Sequence, residues 1–237
     1  MRDILVYSAG FACIALLVFV GARIFDRRLA FGSCVLAALY LGLDDLATAS
    51  GPRFDPFGGD WNWSGKVFSL ALAVAAILAL RLDRRAIGLQ LPRSRTRSAT
   101  LLTALLLAAS VALGLWFEPG KPSAETLAFQ ATMPALAEEL AYRGIAPALL
   151  LGLAHGRQPP PGIPWAAVAA TALMFGAWHG LSYGDGAFSF EPVPALYTFA
   201  GGIAYGWMRF ATGSLVFPVL AHALGNLLFQ LSFLLRA

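Results

Sequence analysis

The chain has 237 residues, of which 58% are hydrophobic and only 13% charged, against about 25% charged residues in soluble globular domains; its mean hydropathy is +0.68. So little polar surface does not cover a water-soluble fold of this length, which excludes an ordinary soluble enzyme. The net charge of +4 does not point to nucleic acid either, because the arginines sit in short loops between apolar runs, the pattern that sets orientation in a membrane.

A bilayer-spanning helix needs about 20 apolar residues. In chain order, eight segments are predicted to be such helices: 4–24, 29–43, 67–80, 98–117, 126–152, 164–181, 193–210 and 214–235. The first follows Arg2 and Asp3 without a small-residue cleavage pattern, so it reads as a retained span and not as a signal peptide. The second and third fall short of a full span and are expected to extend into their flanks. Cys13 and Cys34 lie inside apolar runs and read as small apolar residues; with no CxxC and no Cys/His cluster, neither a disulfide framework nor a zinc knuckle is indicated.

Two loops have their own character. Residues 44–66 are rich in Gly, Asp and Trp and end Asp60-Trp61-Asn62-Trp63-Ser64-Gly65-Lys66; they read either as an aromatic belt at the headgroup level or as a substrate-facing lip. Residues 81–97 mix Ile87, Leu89 and Leu91 with arginines, as expected of a segment lying along the interface. Gly202 and Gly206 form a GxxxG step, which implies close helix packing. There is no repeat and no second, soluble domain. The fold class implied is all-α: a polytopic membrane helix bundle of about eight transmembrane helices.

The loops alternate in charge. Those after the first, third, fifth and seventh segments carry eleven basic residues: Arg23, Arg27, Arg28, Arg81, Arg84, Arg85, Arg93, Arg95, Arg97, Arg157 and Arg209. The other side carries five, Arg2, Arg53, Lys66, Lys121 and Arg236. The positive-inside rule then places the odd loops in the cytoplasm and both termini outside.

Ionisable residues within a span are expensive and usually mark function. In the fifth segment Glu139 and Arg143 are i and i+4, hence neighbours on one helix face that can pair. Glu138 is rotated about 100° from Glu139. It is left without a partner in its own helix, which makes it the candidate general base. A purely structural Glu-Arg network leaves the second glutamate unexplained. His179 closes the sixth segment, with Phe175 one turn earlier and able to pack on its ring. Alone it reads as a bundle histidine hydrogen-bonded across helices. In the eighth segment His222 and Asn226, at i and i+4, can aim donors at one point. Two histidines, an amide and a spare glutamate on three segments form a far more specific combination than any one of them.

These segments resemble the family of intramembrane glutamic endopeptidases that includes the CAAX prenyl proteases and the bacteriocin-processing relatives. The Glu-Glu-x-x-x-Arg motif of that family is matched by Glu138, Glu139 and Arg143, its Phe-x-x-x-His by Phe175 and His179, and its His-x-x-x-Asn by His222 and Asn226, over residues 130–230. Ile87-Gly88-Leu89 followed by Pro92 is similar to what precedes this domain in relatives. The resemblance implies peptide-bond hydrolysis by a water that Glu138 and His179 activate, with His222 and Asn226 donating to the oxyanion and Glu139, Arg143 and Phe175 in support. It implies residues 1–120 as four N-terminal transmembrane helices with the interfacial loop 81–97, and residues 121–237 as the protease core. No cofactor and no metal are implied. The partners expected are the lipid bilayer and a peptide or membrane-anchored protein substrate, in a prokaryotic plasma membrane.

Two other readings stay open on the residues alone. Two histidines and a glutamate can bind Zn²⁺, although no HExxH is present and the histidines lie on different segments. Buried Glu/His relays also serve proton-coupled transporters, and a non-catalytic immunity or scaffold protein belongs to the same class of alternative, although repeated halves of the kind many transporters show are missing.

Overall fold

The computed structural model describes residues 1–53, 59–155 and 162–236. Among these residues it is a helix bundle with one small β-hairpin. The helices are α1 (Arg2–Ala22), α2 (Phe31–Ser50), α3 (Trp63–Ala79), α4 (Thr96–Phe117), α5 (Ala124–Gln130), α6 (Met133–Glu139), α7 (Ala146–Leu150), α8 (Trp165–Gly180), α9 (Pro192–Thr212) and α10 (Val216–Leu231). Among the described residues four helical stretches, Arg2–Ala22, Phe31–Ser50, Thr96–Phe117 and Val216–Leu235, are long and apolar enough to cross a membrane, and Trp63–Ala79 is a shorter apolar helix.

Burial follows helical periodicity. In α1 the buried residues Ser8, Phe11, Ala15, Phe19 and Ala22 recur every three or four positions, a stripe that packs on α2 and α8. Leu5 and Leu17, on the other faces, are exposed, as suits side chains facing lipid. Helix α4 buries only Ala99 and Gly114 and lies at the outside of the bundle. Gly202 and Gly206 let α9 close on α8: a Cβ added at Gly206 would meet Val168 Cγ1 at 2.7 Å. That is the contact the GxxxG step predicts.

The structure departs from the sequence expectations at two places and adds an element at a third. The stretch 44–66 is not a single loop, because α2 runs on to Ser50 and α3 begins at Trp63; Asp44, Asp45 and Lys66 are therefore buried helix residues. The segment 126–152 is not one continuous helix. It breaks at Ala131–Thr132, restarts with Pro134 in the first turn of α6, and widens into a π-turn over Leu140–Ile145 before α7. Pro147 supplies a reason, since it has no N–H to donate and its ring would crowd the carbonyl one turn back in a regular helix. Finally, residues 181–190 form a hairpin, β1 (Leu181–Gly184) against antiparallel β2 (Ala187–Phe190), with Leu181 opposite Phe190. Asp185 and Gly186 turn it with φ of 51° and 80°, the primed turn that an Asp-Gly pair favours.

The loops sort into two ends. At one end the segment after α3 is stitched to the α9–α10 corner. Leu215 N–H donates to Gly88 O at 3.0 Å and Arg93 N–H to Thr212 O at 2.9 Å. The buried Arg209 donates to the carbonyls of Arg85 and Ala86 at 3.2 and 2.8 Å. Gly88 is needed there: its φ is 78°, and the Arg209 side chain occupies the place of a Cβ. In this segment Ile87 is fully buried while Leu89 and Leu91 are exposed, so it is partly a plug and partly an interfacial strip. At the other end Tyr7 donates to Leu181 O of the hairpin at 3.0 Å, and Glu125 accepts the Asp60 N–H and the Trp63 indole N–H, each at 3.1 Å. Arg157 and Ala237 lie outside the described residues.

Candidate functional site

Helices α6, α8 and α10 bring together the polar residues picked out in the sequence. The π-turn keeps Arg143 on the Glu139 side: Arg143 Nη1 donates to Glu139 Oε1 at 3.1 Å, with both side chains buried. The guanidinium lies over the Phe175 ring, 4.0 Å from its centroid, and 5.3 Å from that of Tyr205, a contact that favours a desolvated cation. The same Glu139 oxygen accepts from Nδ1 of His222 at 2.8 Å. Tyr205 stacks on the face of the His222 ring, centroids 5.7 Å apart at 13°.

His179 is set by its own helix. Its Nδ1 lies 2.9 Å from Phe175 O; a carbonyl only accepts, so Nδ1 carries the proton and Nε2 is the acceptor in the neutral ring. The Phe175 ring meets the imidazole edge-on at 4.5 Å, as the one-turn spacing predicts, and Trp178 does so at 4.9 Å. Both histidines thus point Nε2 the same way. His179 Nε2 lies 4.0 Å and His222 Nε2 3.8 Å from Glu138 Oε2. That oxygen has no hydrogen-bond partner among the described residues. Both gaps are too long for a direct hydrogen bond and suited to a bridging water.

Asn226 stands one turn beyond His222 and donates from Nδ2 to Gln130 Oε1 at 3.0 Å. It is a wall residue of the same cavity, tied to α5, and its amide retains a second N–H. The cavity holds about 770 Å³ and is lined by polar Lys66, Gln130, Glu138, His179, His222 and Asn226 together with Trp61, Phe129, Tyr197, Tyr205 and the α4 residues Leu106 and Leu113. Trp61 and Trp63 do not form a simple belt: both pack on Phe129, at 5.0 and 5.1 Å, and Trp61 forms part of the cavity wall.

The sequence reading missed Lys66. Counted there as an outer-loop cation, it sits in the first turn of α3 and donates to Glu138 Oε1 at 2.7 Å, with both side chains buried. Glu138 therefore has a charge partner from another helix, and the expectation of an unpaired carboxylate holds only within its own helix. Asp44, Asp45, Gln130, Trp178 and Tyr205 were missed as well. A signal existed for the two aspartates and the lysine: both short segments had to extend into their flanks to span, and the flanking charges come inside with them.

Among the described residues no group of three or more His, Cys, Asp or Glu side chains is arranged to hold a metal ion. No curated protein and no solved structure matches the chain. Residues 120–228, which contain Glu138, Glu139, Arg143, Phe175, His179, His222 and Asn226, match the family model described as Type II CAAX prenyl endopeptidase Rce1-like. With its long apolar helices, the chain is a multi-pass membrane protein, and its residues 120–228, just under half of its length, are similar to this CAAX-type intramembrane protease family.

Proposed function

We propose that the protein is an intramembrane glutamic endopeptidase that cuts a peptide bond in a membrane-associated peptide or a membrane-anchored tail. The observation that carries this reading is the convergence of Glu138 Oε2 with Nε2 of His179 and His222, at 4.0 and 3.8 Å, inside a cavity with polar and apolar walls. A water bound among these three atoms would give one proton to Glu138 as its oxygen attacks the scissile carbonyl, with His179 Nε2 accepting its second hydrogen bond. The proton then passes from Glu138 to the leaving amine, and the carboxylate is restored.

The tetrahedral intermediate needs donors where its charge develops, worth about 10²–10³ in rate each. Asn226 has an N–H free of Gln130. His222 can donate through Nε2 only when its ring carries both protons, since Nδ1 is committed to Glu139; Glu139 balances the charge of that form, as the buried carboxylate does in a serine-protease triad. Arg143 holds Glu139 in place. Leu106 and Leu113 of α4 give the cavity an apolar side for a substrate arriving from lipid.

The experiment is cleavage of a peptide library by the purified protein in liposomes, read by mass spectrometry, for wild type and Glu138→Gln. Cut peptides with wild type and none with the variant support the reading; a protein that cuts nothing while remaining folded would move it to the transporter or scaffold class.

A further inference from the structure

Three buried charged side chains, Asp44, Asp45 and Lys66, come from α2 and α3 and lie outside the residues that match the protease family. A chain of contacts runs from Asp45 through Trp178 and Lys66 to Glu138. Asp45 takes the Ser8 hydroxyl at 2.6 Å and the Trp178 indole N–H at 2.8 Å. The Trp178 ring in turn carries the Lys66 ammonium, 4.7 Å from its centroid, and Lys66 Nζ binds Glu138 Oε1 at 2.7 Å. Asp44, held by Ser69 Oγ at 2.6 Å, lies beside the same cluster, Ser69 being one turn beyond Lys66 on α3.

The local backbone delivers Lys66 to this place. Asn62 caps α3, accepting from Gly65 N–H at 2.9 Å and donating to Thr48 O at 2.9 Å. Gly65 lies so close to the Thr48 carbonyl that a side chain would not fit. The first turn of α3 is thereby locked against the end of α2, with Lys66 facing α6.

We infer that Lys66 is a positioning residue for Glu138, held by the Asp45–Trp178 clamp, so that the N-terminal helices complete the active site of the matched domain. The inference rests on the proposed role of Glu138 as the base. The terminal torsion of a glutamate is soft. With Oε1 fixed by the ammonium, Oε2 is aimed between the two histidine Nε2 atoms; without it the carboxylate turns freely. A working site tolerates only about 10–20° of such freedom. Orientation of this kind acts on the transition state, so its loss appears in kcat and not in KM. If Lys66 served only to balance buried charge, its removal would lower the amount of folded protein and leave kcat per folded molecule unchanged.

The test uses a lipid-anchored fluorogenic peptide, chosen from a library because wild type cuts it, and compares wild type, Glu138→Gln, Lys66→Met, Lys66→Arg and Asp45→Asn in liposomes. Lys66→Met is expected to lower kcat by about 10²-fold, the scale of a small misplacement of a reacting group, with KM unchanged. Lys66→Arg, which keeps the cation, is expected to recover much of that loss, and Asp45→Asn to show a smaller drop in kcat alone. Wild-type kcat in folded Lys66→Met, or Lys66→Arg no better than Lys66→Met, overturns the inference. If Lys66→Met does not fold, Asp45→Asn decides: lowered kcat at constant KM supports the clamp, and wild-type kcat overturns it. Activity persisting in Glu138→Gln would instead remove the role of Glu138 itself, whatever the Lys66 variants do.

Discussion

Nδ1 of His222 lies 2.8 Å from Glu139 Oε1, a contact between residues 83 apart in the chain. It joins α10 to α6, and it turns the imidazole so that Nε2 faces Glu138. The same carboxylate oxygen holds Arg143, so one fully buried glutamate positions a histidine and accounts for an arginine.

Arg143→Ala is expected to destabilise the protein, because it leaves the Glu139 charge buried without its cation. Breaking a buried pair in this way costs roughly 3–5 kcal/mol. The measurement is thermal unfolding in detergent, where the variant should melt well below wild type and also lose activity. Equal melting temperatures would mean that the pair contributes nothing to the fold.

Asn226→Ala is expected to lower kcat by about 10²-fold, the typical loss of one oxyanion donor, and to leave KM near wild type. Gln130→Ala, which keeps Asn226 and releases its hydrogen bond, should have a smaller effect on the same parameter. Steady-state kinetics of the two variants decide the matter. A raised KM with unchanged kcat in Asn226→Ala would make it a binding residue.

Activity is expected to survive exhaustive chelation. The ammonium of Lys66 already occupies Glu138 Oε1, and a metal ion beside it would face a like charge. The assay compares the cleavage rate before and after chelator treatment and after adding Zn²⁺. Loss on chelation with recovery on Zn²⁺ would replace the proposed glutamic mechanism with a metal-dependent one.

The core of the candidate site was legible because membrane burial makes charge rare. Glu138, Glu139, Arg143, His179 and His222 stood out against apolar runs, and helical spacing alone paired Glu139 with Arg143 and Phe175 with His179. Lys66 and the Asp44–Asp45 pair were hidden by the same logic, since a charge at the edge of an apolar run reads as the end of a span. The signal against that was the shortness of both segments, which had to extend into their flanks to span, and the contact between α3 and α6 places Lys66 inside. The break at Ala131–Thr132 had a local signal in Gln130, Thr132 and Pro134, overlooked inside a long and mainly apolar segment. The hairpin was not hidden: Asp185-Gly186 is its local signal, overlooked between two apolar runs.

Orientation can be read from single cysteines placed in the two loop ends, in a background where Cys13 and Cys34 are replaced. The excess of basic residues in the odd loops predicts that Leu91→Cys, exposed in the loop after α3, is cytoplasmic, and that Gly120→Cys, in open space after α4, faces outside. A membrane-impermeant maleimide added to intact cells should label the second and not the first. Labelling in the reverse pattern would invert the topology.

The most direct measurement of the central claim is the cleavage rate of folded Glu138→Gln beside wild type, in liposomes, on one peptide that wild type cuts. The substitution keeps the shape of the side chain and removes the proposed base. The account predicts an unfolding temperature close to that of wild type and no detectable cleavage. A folded Glu138→Gln protein that cuts the peptide at a rate near wild type would contradict it.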